Sequence, residues 1–340
     1  MTLLFMDSFD HYDIGDILKK WTSGYGITIS AGNGRNGTDA LFLGGSGGRE
    51  VLKTLSSSHT TLIVGFAVKF AAFTPFSSTF FYLIDMATEQ VSLDINADGT
   101  ISVKRGGAVL ATSSESFQID AWYFLEFKVL INNGAGTIDL RVNEISWISE
   151  VAQDTQQTAN NSVNVIKFRG GTSVVSSYID DLYVMNNSGA VNNDFIGDYR
   201  VEALLPNGAG NAAQWDRFPD TGEVNYEDVD ENPADDDTTY THQDGAGLPQ
   251  LDTHLMDNLV TTAGLVAGVQ TLLDARKDDA GAVTCQPVFR QGGADHVQSN
   301  FNLGDNYLYH QEIVESDPDT AAPWTIAGIN SVEFGYRRSA

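Results

Sequence analysis

The stretch Asp94-Ile-Asn-Ala-Asp98-Gly99-Thr100 has the residue types of a calcium loop. Such a loop places oxygen ligands at positions 1, 3 and 5, glycine at 6 and a bidentate Glu at 12, between two helices. Asp94, Asn96, Asp98 and Gly99 meet the first requirements, but position 12 is Arg105. The flanks Val91-Ser-Leu93 and Ile101-Ser-Val103 alternate with period two, as strands do. Asp-Gly between alternating runs signals a hairpin, because glycine accepts the positive φ of such turns. The stretch is read as a turn. A second source of ligands is the acidic run 216–237, with ten acidic residues against the one base Arg217. Runs of this kind are ordinarily solvated loops. Asp228, Asp230, Glu231 and Asp235 are its candidate ligands for a divalent cation such as Ca2+.

Catalytic patterns fare less well. Gly44-Gly-Ser46-Gly-Gly48 fits G-x-S-x-G, which requires a strand before it and a helix after it. Arg49–Lys53 reads as strand, so the segment is taken as a glycine-rich turn. A phosphate loop needs glycine directly before its lysine, and Leu52 precedes Lys53. The six histidines (His11, His59, His242, His254, His296 and His310) show neither the i, i+4 spacing of a helical zinc pair nor a cysteine neighbour. They are read as structural or surface residues. A strand pattern E-x-D-x-x-E would line a hydrolase cleft with carboxylates on one face. Glu144 and Glu150 bracket a strand without reproducing it. A non-enzymatic protein is expected. Trp21, Tyr25, Trp147 and Trp215 are the candidate carbohydrate-binding residues, through ring stacking. Packing is the competing role for each. Trp122 opens an apolar strand and is assigned to the core.

The elements that must position these residues are strands. Thr61–Phe70, Phe80–Asp85, Gln90–Ile95, Ile101–Val103, Trp122–Ile131, Thr137–Val142, Val163–Phe168 and Tyr178–Val184 follow one another at sandwich-like spacing. Residues 187–196 read as a linker or crossing segment, and Gly197–Leu205 as a strand ended by Pro206. Leu251, Leu255 and Leu259 sit four apart, as on a helix face, so a short helix or irregular turn is expected there. A strand at Val269–Ala275, a turn at Lys277–Gly281 and a return strand through Val283–Phe289 come next. Pro287 would place that return strand at an edge or bulge. Phe301–Leu303, Tyr307–Val314 and Val332–Tyr336 complete a second, smaller β-sandwich.

Composition agrees with this reading. The chain of 340 residues is 42% hydrophobic with 33 glycines, the palette of an all-β protein with many turns. That length accommodates two cores. The net charge of −26 repels nucleic-acid phosphates and anionic membranes. The single cysteine, Cys285, allows no internal disulfide. No apolar run reaches membrane-spanning length. The first residues lack the basic and apolar regions of an export signal. A protein made and used without Sec export is expected, which fits a cytosolic protein and equally a virion part assembled in the host cytosol and released by lysis.

The strand from Trp122 to Ile131, the hairpin after it and the closing Tyr178-Ile-Asp-Asp-Leu-Tyr-Val184 resemble the concanavalin A-like, laminin-G-type jelly roll. The opening Phe5-Met-Asp-Ser-Phe-Asp-His-Tyr-Asp13 is similar to the first strand of such domains in tailed-phage virion proteins. The stretch from Ile196 to Asn211 resembles segments that follow these jelly rolls in phage structural proteins. So do Asp317-Pro-Asp-Thr320, Pro323-Trp-Thr325 and Val332-Glu-Phe-Gly335. The resemblance implies a jelly roll over 1–190 whose first and last strands pair, with Phe5–Phe9 beside Ile179–Val184. A second β-rich domain over 191–340 would serve assembly or attachment. It further implies a virion structural protein of the tail, fibre or baseplate region. A head-surface decoration protein and a carbohydrate-binding receptor adhesin are the alternatives. Expected partners are other virion proteins, copies of the chain itself and a host cell-surface glycan. Assembly would take place in the host cytoplasm.

Overall fold

The computed structural model describes residues 2–45, 47–171, 175–222 and 224–339. The chain divides into two compact units, 1–201 and 202–340. Both are built almost wholly from strands, with single helical turns at Ile17–Lys20 and Ile326–Ile329. Among the described residues no helix is long and apolar enough to cross a membrane.

The strands of the first unit are β1 (Leu3–Asp7), β2 (Ser23–Tyr25), β3 (Thr28–Ser30), β4 (Ala40–Leu43) and β5 (Gly48–His59). Next come β6 (Thr61–Ala72), β7 (Ser78–Asp85), β8 (Thr88–Ile95), β9 (Thr100–Arg105) and β10 (Ala108–Ser116). The unit closes with β11 (Trp122–Leu130), β12 (Asn133–Val142), β13 (Ile145–Asp154), β14 (Val163–Gly171) and β15 (Ser176–Met185). They form a jelly-roll sandwich. One sheet runs β13-β12-β11-β6-β15-β4-β3, with β1 also paired to β15; the other runs β10-β9-β8-β7-β14-β5-β2. The first and last strands do pair, with Phe5 opposite Val184 and Asp7 opposite Leu182.

The core lies between the sheets. Phe66 of β6 meets Phe168 of β14 at 5.0 Å and Phe81 of β7 at 5.6 Å, so one aromatic cluster joins the two layers. Strand β6 is buried on both faces over most of its length. That explains why its sequence reads as a nearly unbroken apolar run. The Asp94 stretch is a hairpin between β8 and β9, with Gly99 at φ +82°. Asp94 itself is buried and paired with Lys104, and it accepts from Ser77 (2.8 Å) and Thr79 (2.6 Å). Ser46 lies outside the described residues. The segment after it is strand β5, where the nucleophile-elbow pattern needs a helix.

Strand β1 is fixed by a buried ion pair. Asp7 sits 3.1 Å from Lys20, and both are almost fully enclosed. The same carboxylate accepts from Tyr12 Oη (2.7 Å), Trp21 Nε1 (2.8 Å) and the Phe9 N–H (3.0 Å). Burial alone would raise Asp7, yet the Lys20 ammonium and these donors hold it below the usual carboxylate range. Trp21 is therefore a core residue. The expectation of an exposed sugar-stacking ring fails because its N–H is used up by a buried carboxylate.

The strands of the second unit are β16 (Pro206–Ala213), β17 (Asp216–Phe218), β18 (Tyr240–His242), β19 (Gln250–Met256) and β20 (Val269–Ala275). They continue with β21 (Thr284–Gln291), β22 (Ala294–Val297), β23 (Phe301–Asn302), β24 (Leu308–Val314) and β25 (Glu333–Arg338). A six-stranded sheet runs β16-β19-β25-β21-β22, with β23 also on β21; β17–β18 and β20–β24 are two-stranded ribbons.

Four local expectations are corrected here. Leu251 and Leu255 lie on strand β19, because cross-strand pairing to β25 overrides their helical spacing. Gly197–Leu205 is not a strand; the strand begins at Pro206. Strand β21 is interior rather than an edge. Pro287 falls between the residues that pair with β23 and those that pair with β22, so its missing N–H breaks no ladder on that side. Strand β20 pairs with β24 rather than with β21.

Removing either partner of the Asp7–Lys20 pair strands a buried charge, at a cost of about 3–5 kcal/mol. Asp7→Ala and Lys20→Met are each expected to lose that much stability in urea unfolding. The double variant should lose clearly less than the sum of the two.

Candidate functional site

Directly opposed residues on neighbouring strands share a face of the sheet. In the eight-stranded sheet, Trp122 of β11 is opposite Lys69 of β6, Lys69 is opposite Tyr178 of β15, and Tyr178 is opposite Phe42 of β4. These four half-buried side chains form one row across the outer face. The Phe42 and Tyr178 rings are 4.7 Å apart. Lys69 Nζ lies 4.5 Å from the Tyr178 ring centre and 5.0 Å from that of Trp122. Trp122 is thus corrected from core to outer face, because β11 turns Leu125 and Phe127 inward and alternation sends Trp122 the other way.

The next rows carry polar groups. Asp180 is opposite Ala67, and Tyr183 is opposite Gly65. Residues 180 and 183 would point to opposite faces of a regular strand. A bulge at Asp181–Leu182, with Asp181 at φ 50°, keeps both on the outer face. Gly65 is required there, since a Cβ would collide with the Tyr183 ring.

Residues 194–201 cross these rows as a strap. Glu126 Oε1 accepts from Tyr183 Oη (2.6 Å) and from the Gly197 N–H (2.9 Å). Lys128 pairs with Asp194 at 2.9 Å, and the Arg141 guanidinium lies 4.2 Å from the Phe195 ring centre. Arg35 reaches Asp198 at 2.6 Å, and the Val201 N–H donates to Asp181 at 2.9 Å. The segment read as a linker thus packs on the first unit, which ends at Val201. Among the described residues, these strap contacts leave the aromatic row untouched.

Asp10, Asp180 and Asp181 cluster beside the strap. Burial, followed by the neighbouring Asp181 carboxylate, pushes Asp180 up to about 8. Burial likewise raises Asp181 and Asp10 to about 6 each. A carboxyl protonated near neutrality beside an ionised one is the acid–base arrangement of many hydrolases. Here Asp180 is 1% exposed and is tied to the Arg35 N–H at 2.7 Å. Arg35 also pairs with Asp181 at 3.2 Å. Asp180 and Asp181 are thus tied into the fold, while Asp10 is half-buried.

The remaining sequence candidates do not converge. Tyr25 is 68% exposed on β2, the end strand of the seven-stranded sheet. Trp147 is half-buried on β13, at the end of the other sheet that packs beside β10, and it rests on Phe117 at 4.8 Å. The two therefore sit at opposite edges of the sandwich. Trp215 lies in the second unit, half-buried, with its N–H on the Gln250 carbonyl at 3.2 Å. Asp228 is buried and held by both Nε (2.5 Å) and Nη2 (2.8 Å) of Arg217. Glu231 and Asp235 instead share the Thr239 hydroxyl, at 2.8 and 3.0 Å, and Asp230 bonds to neither pair. Among the described residues no group of three or more His, Cys, Asp or Glu side chains is arranged to hold a metal ion. Burial raises the Cys285 thiol to about 12, which keeps it from being a thiolate.

No protein-family model matches the sequence, and no curated protein sequence matches it. The chain is similar in part to several solved structures. One is the cellulose-induced protein Cip1, at 11% identity over 52% of this chain and 89% of that one, with a TM-score of 0.38. Another is domain 4 of AbnA, a GH43 extracellular arabinanase from Geobacillus stearothermophilus, in complex with arabinotriose. It shows 20% identity over 54% of this chain and 92% of that one, with a TM-score of 0.37. A third is the Emp46p carbohydrate recognition domain, at 8% identity over 53% and 98%, with a TM-score of 0.35.

Burial holds all three clustered carboxyls above the usual aspartate range. The cluster favours folding below about pH 4 and loses that contribution as pH rises through 6 to 8. Asp180→Asn is expected to lower the urea midpoint at pH 4, because its amide cannot accept from both the Arg35 and the Asp181 N–H groups. The loss should be smaller at pH 8, where the variant also removes a buried charge.

Proposed function

We propose that the chain is a non-enzymatic structural protein of a tailed-phage particle, an assembly subunit of its tail, fibre or baseplate region. The observation that supports assembly is the thin core of the second unit. Its buried apolar side chains among the described residues are Val283, Cys285, Val288, Phe289, Ile313, Trp324, Ile329, Val332 and Tyr336. The first unit buries several times as many. A domain of about 140 residues ordinarily buries about two-thirds of the surface of its unfolded chain.

The ribbon β20–β24 shows the deficit most clearly. Leu272 and Leu273 are adjacent, so they point to opposite faces, and neither is fully buried. A two-stranded ribbon is marginal unless a face is covered. Leu308 on β24 is exposed, and Leu265 just before β20 is 81% exposed. Leu308 pairs with Ala275 at one end of the ribbon and Leu265 precedes the other end, so apolar side chains are exposed along its length, and copies of the same chain are the occupants that would cover them. Assembly in the host cytoplasm then completes the core.

Light scattering on the eluting protein tests this reading. A defined oligomer is expected, and Leu265→Asp with Leu308→Asp should convert it to monomer at little cost to the fold, because both residues are exposed in the single chain. A parent that is monomeric at every concentration contradicts the proposal.

A further inference from the structure

We infer that the row Phe42–Tyr178–Lys69–Trp122 on the outer face of the eight-stranded sheet is a binding strip for a neutral oligosaccharide. The row crosses four adjacent strands. At about 4.8 Å between strands it is about 14 Å long, the reach of a short oligosaccharide. It stands on paired strands rather than on loops, so its groups are held in place before any ligand arrives.

Lys69 gives the strip its chemistry. An ammonium has three donors. One reaches the Asn33 carbonyl at 3.4 Å, and two aromatic rings flank the group. Among the described residues no carboxylate lies within ion-pair distance of it, in a chain with 45 acidic side chains against 19 Lys and Arg. Lys128 and Arg35, also on this side of the unit, are each paired with a carboxylate, and Arg141 packs on the Phe195 ring of the strap. Lys69 therefore keeps donors for a ligand.

A pyranose ring offers what such a row can use. Its C–H faces pack on aromatic edges and faces, and its hydroxyl oxygens accept from an ammonium. The net charge of −26 disfavours a polyanionic chain, which selects neutral sugars over uronates or phosphates. The strap crosses the same face farther along, on the rows of Glu126 and Lys128.

The test is a fluorescence and calorimetric titration of the full chain with maltohexaose, cellohexaose, mannohexaose and a hexameric oligoguluronate. At least one neutral hexasaccharide is expected to saturate the protein. Lys69→Met, which keeps the stem and removes the donors, should weaken that binding about tenfold, the loss of one charge-assisted hydrogen bond. Trp122→Ala should weaken it at least as much, with the unfolding midpoint of Lys69→Met unchanged as the control for folding. Three results overturn the inference: no neutral hexasaccharide saturates, only the oligoguluronate binds, or Lys69→Met binds as the parent does.

Discussion

Strand β15 sets what the rest of the first unit can do, because it is bonded on both sides. It pairs with β6 along one edge and with β1 and β4 along the other. The chain's last strand in that unit is therefore locked between its first strand and its most buried one. One extra residue in β15 then decides the outer face. The bulge at Asp181 keeps Tyr178, Asp180 and Tyr183 on the same side. Tyr183 can anchor Glu126, Glu126 can hold the strap, and Tyr178 can take its place in the aromatic row. A bulge that re-aims side chains in this way is a built feature.

The charges of the first unit follow the same economy of placement. Several buried carboxylates are individually answered, although Glu126 keeps one buried oxygen without a hydrogen bond among the described residues. Asp7 has Lys20 and three further donors, and Asp94 has Lys104 with two hydroxyls. Asp180 and Asp181 share Arg35, one through its backbone N–H and one through its guanidinium. Pairs of this kind add little net stability, but breaking one is costly, so they penalise alternative arrangements of the strands that carry them.

Much of this architecture was legible in the sequence, for identifiable reasons. Strands β6, β7, β11 and β15 bury most of their side chains and announce themselves by apolar runs or alternation. The Asp98-Gly99 turn was legible because glycine at positive φ leaves few alternatives. Strand β10 was not, because its Ser and Thr residues line an end strand with only Ser113 buried. The spacing of Leu251, Leu255 and Leu259 pointed to a helix, but hydrogen bonding to β25 decides the conformation there. The aromatic row was the largest omission. Phe42, Lys69, Tyr178 and Trp122 are far apart in the chain, and only cross-strand register aligns them. A sequence pattern with period two gives the face of each residue but not its neighbour across the sheet.

The two units contrast in how completely they are packed. The first has its aromatic cluster sealed between two sheets. The second has ribbons whose apolar residues are half-covered. Local stability tracks this kind of packing, and amide exchange reads it strand by strand. The decisive measurement is hydrogen exchange on the full chain at high and at low protein concentration. If copies complete the second unit, the amides of β20 and β24 lose protection on dilution while those of β6, β11 and β15 keep theirs. Equal protection of β20 and β24 at both concentrations, at the level of β6, would contradict the account.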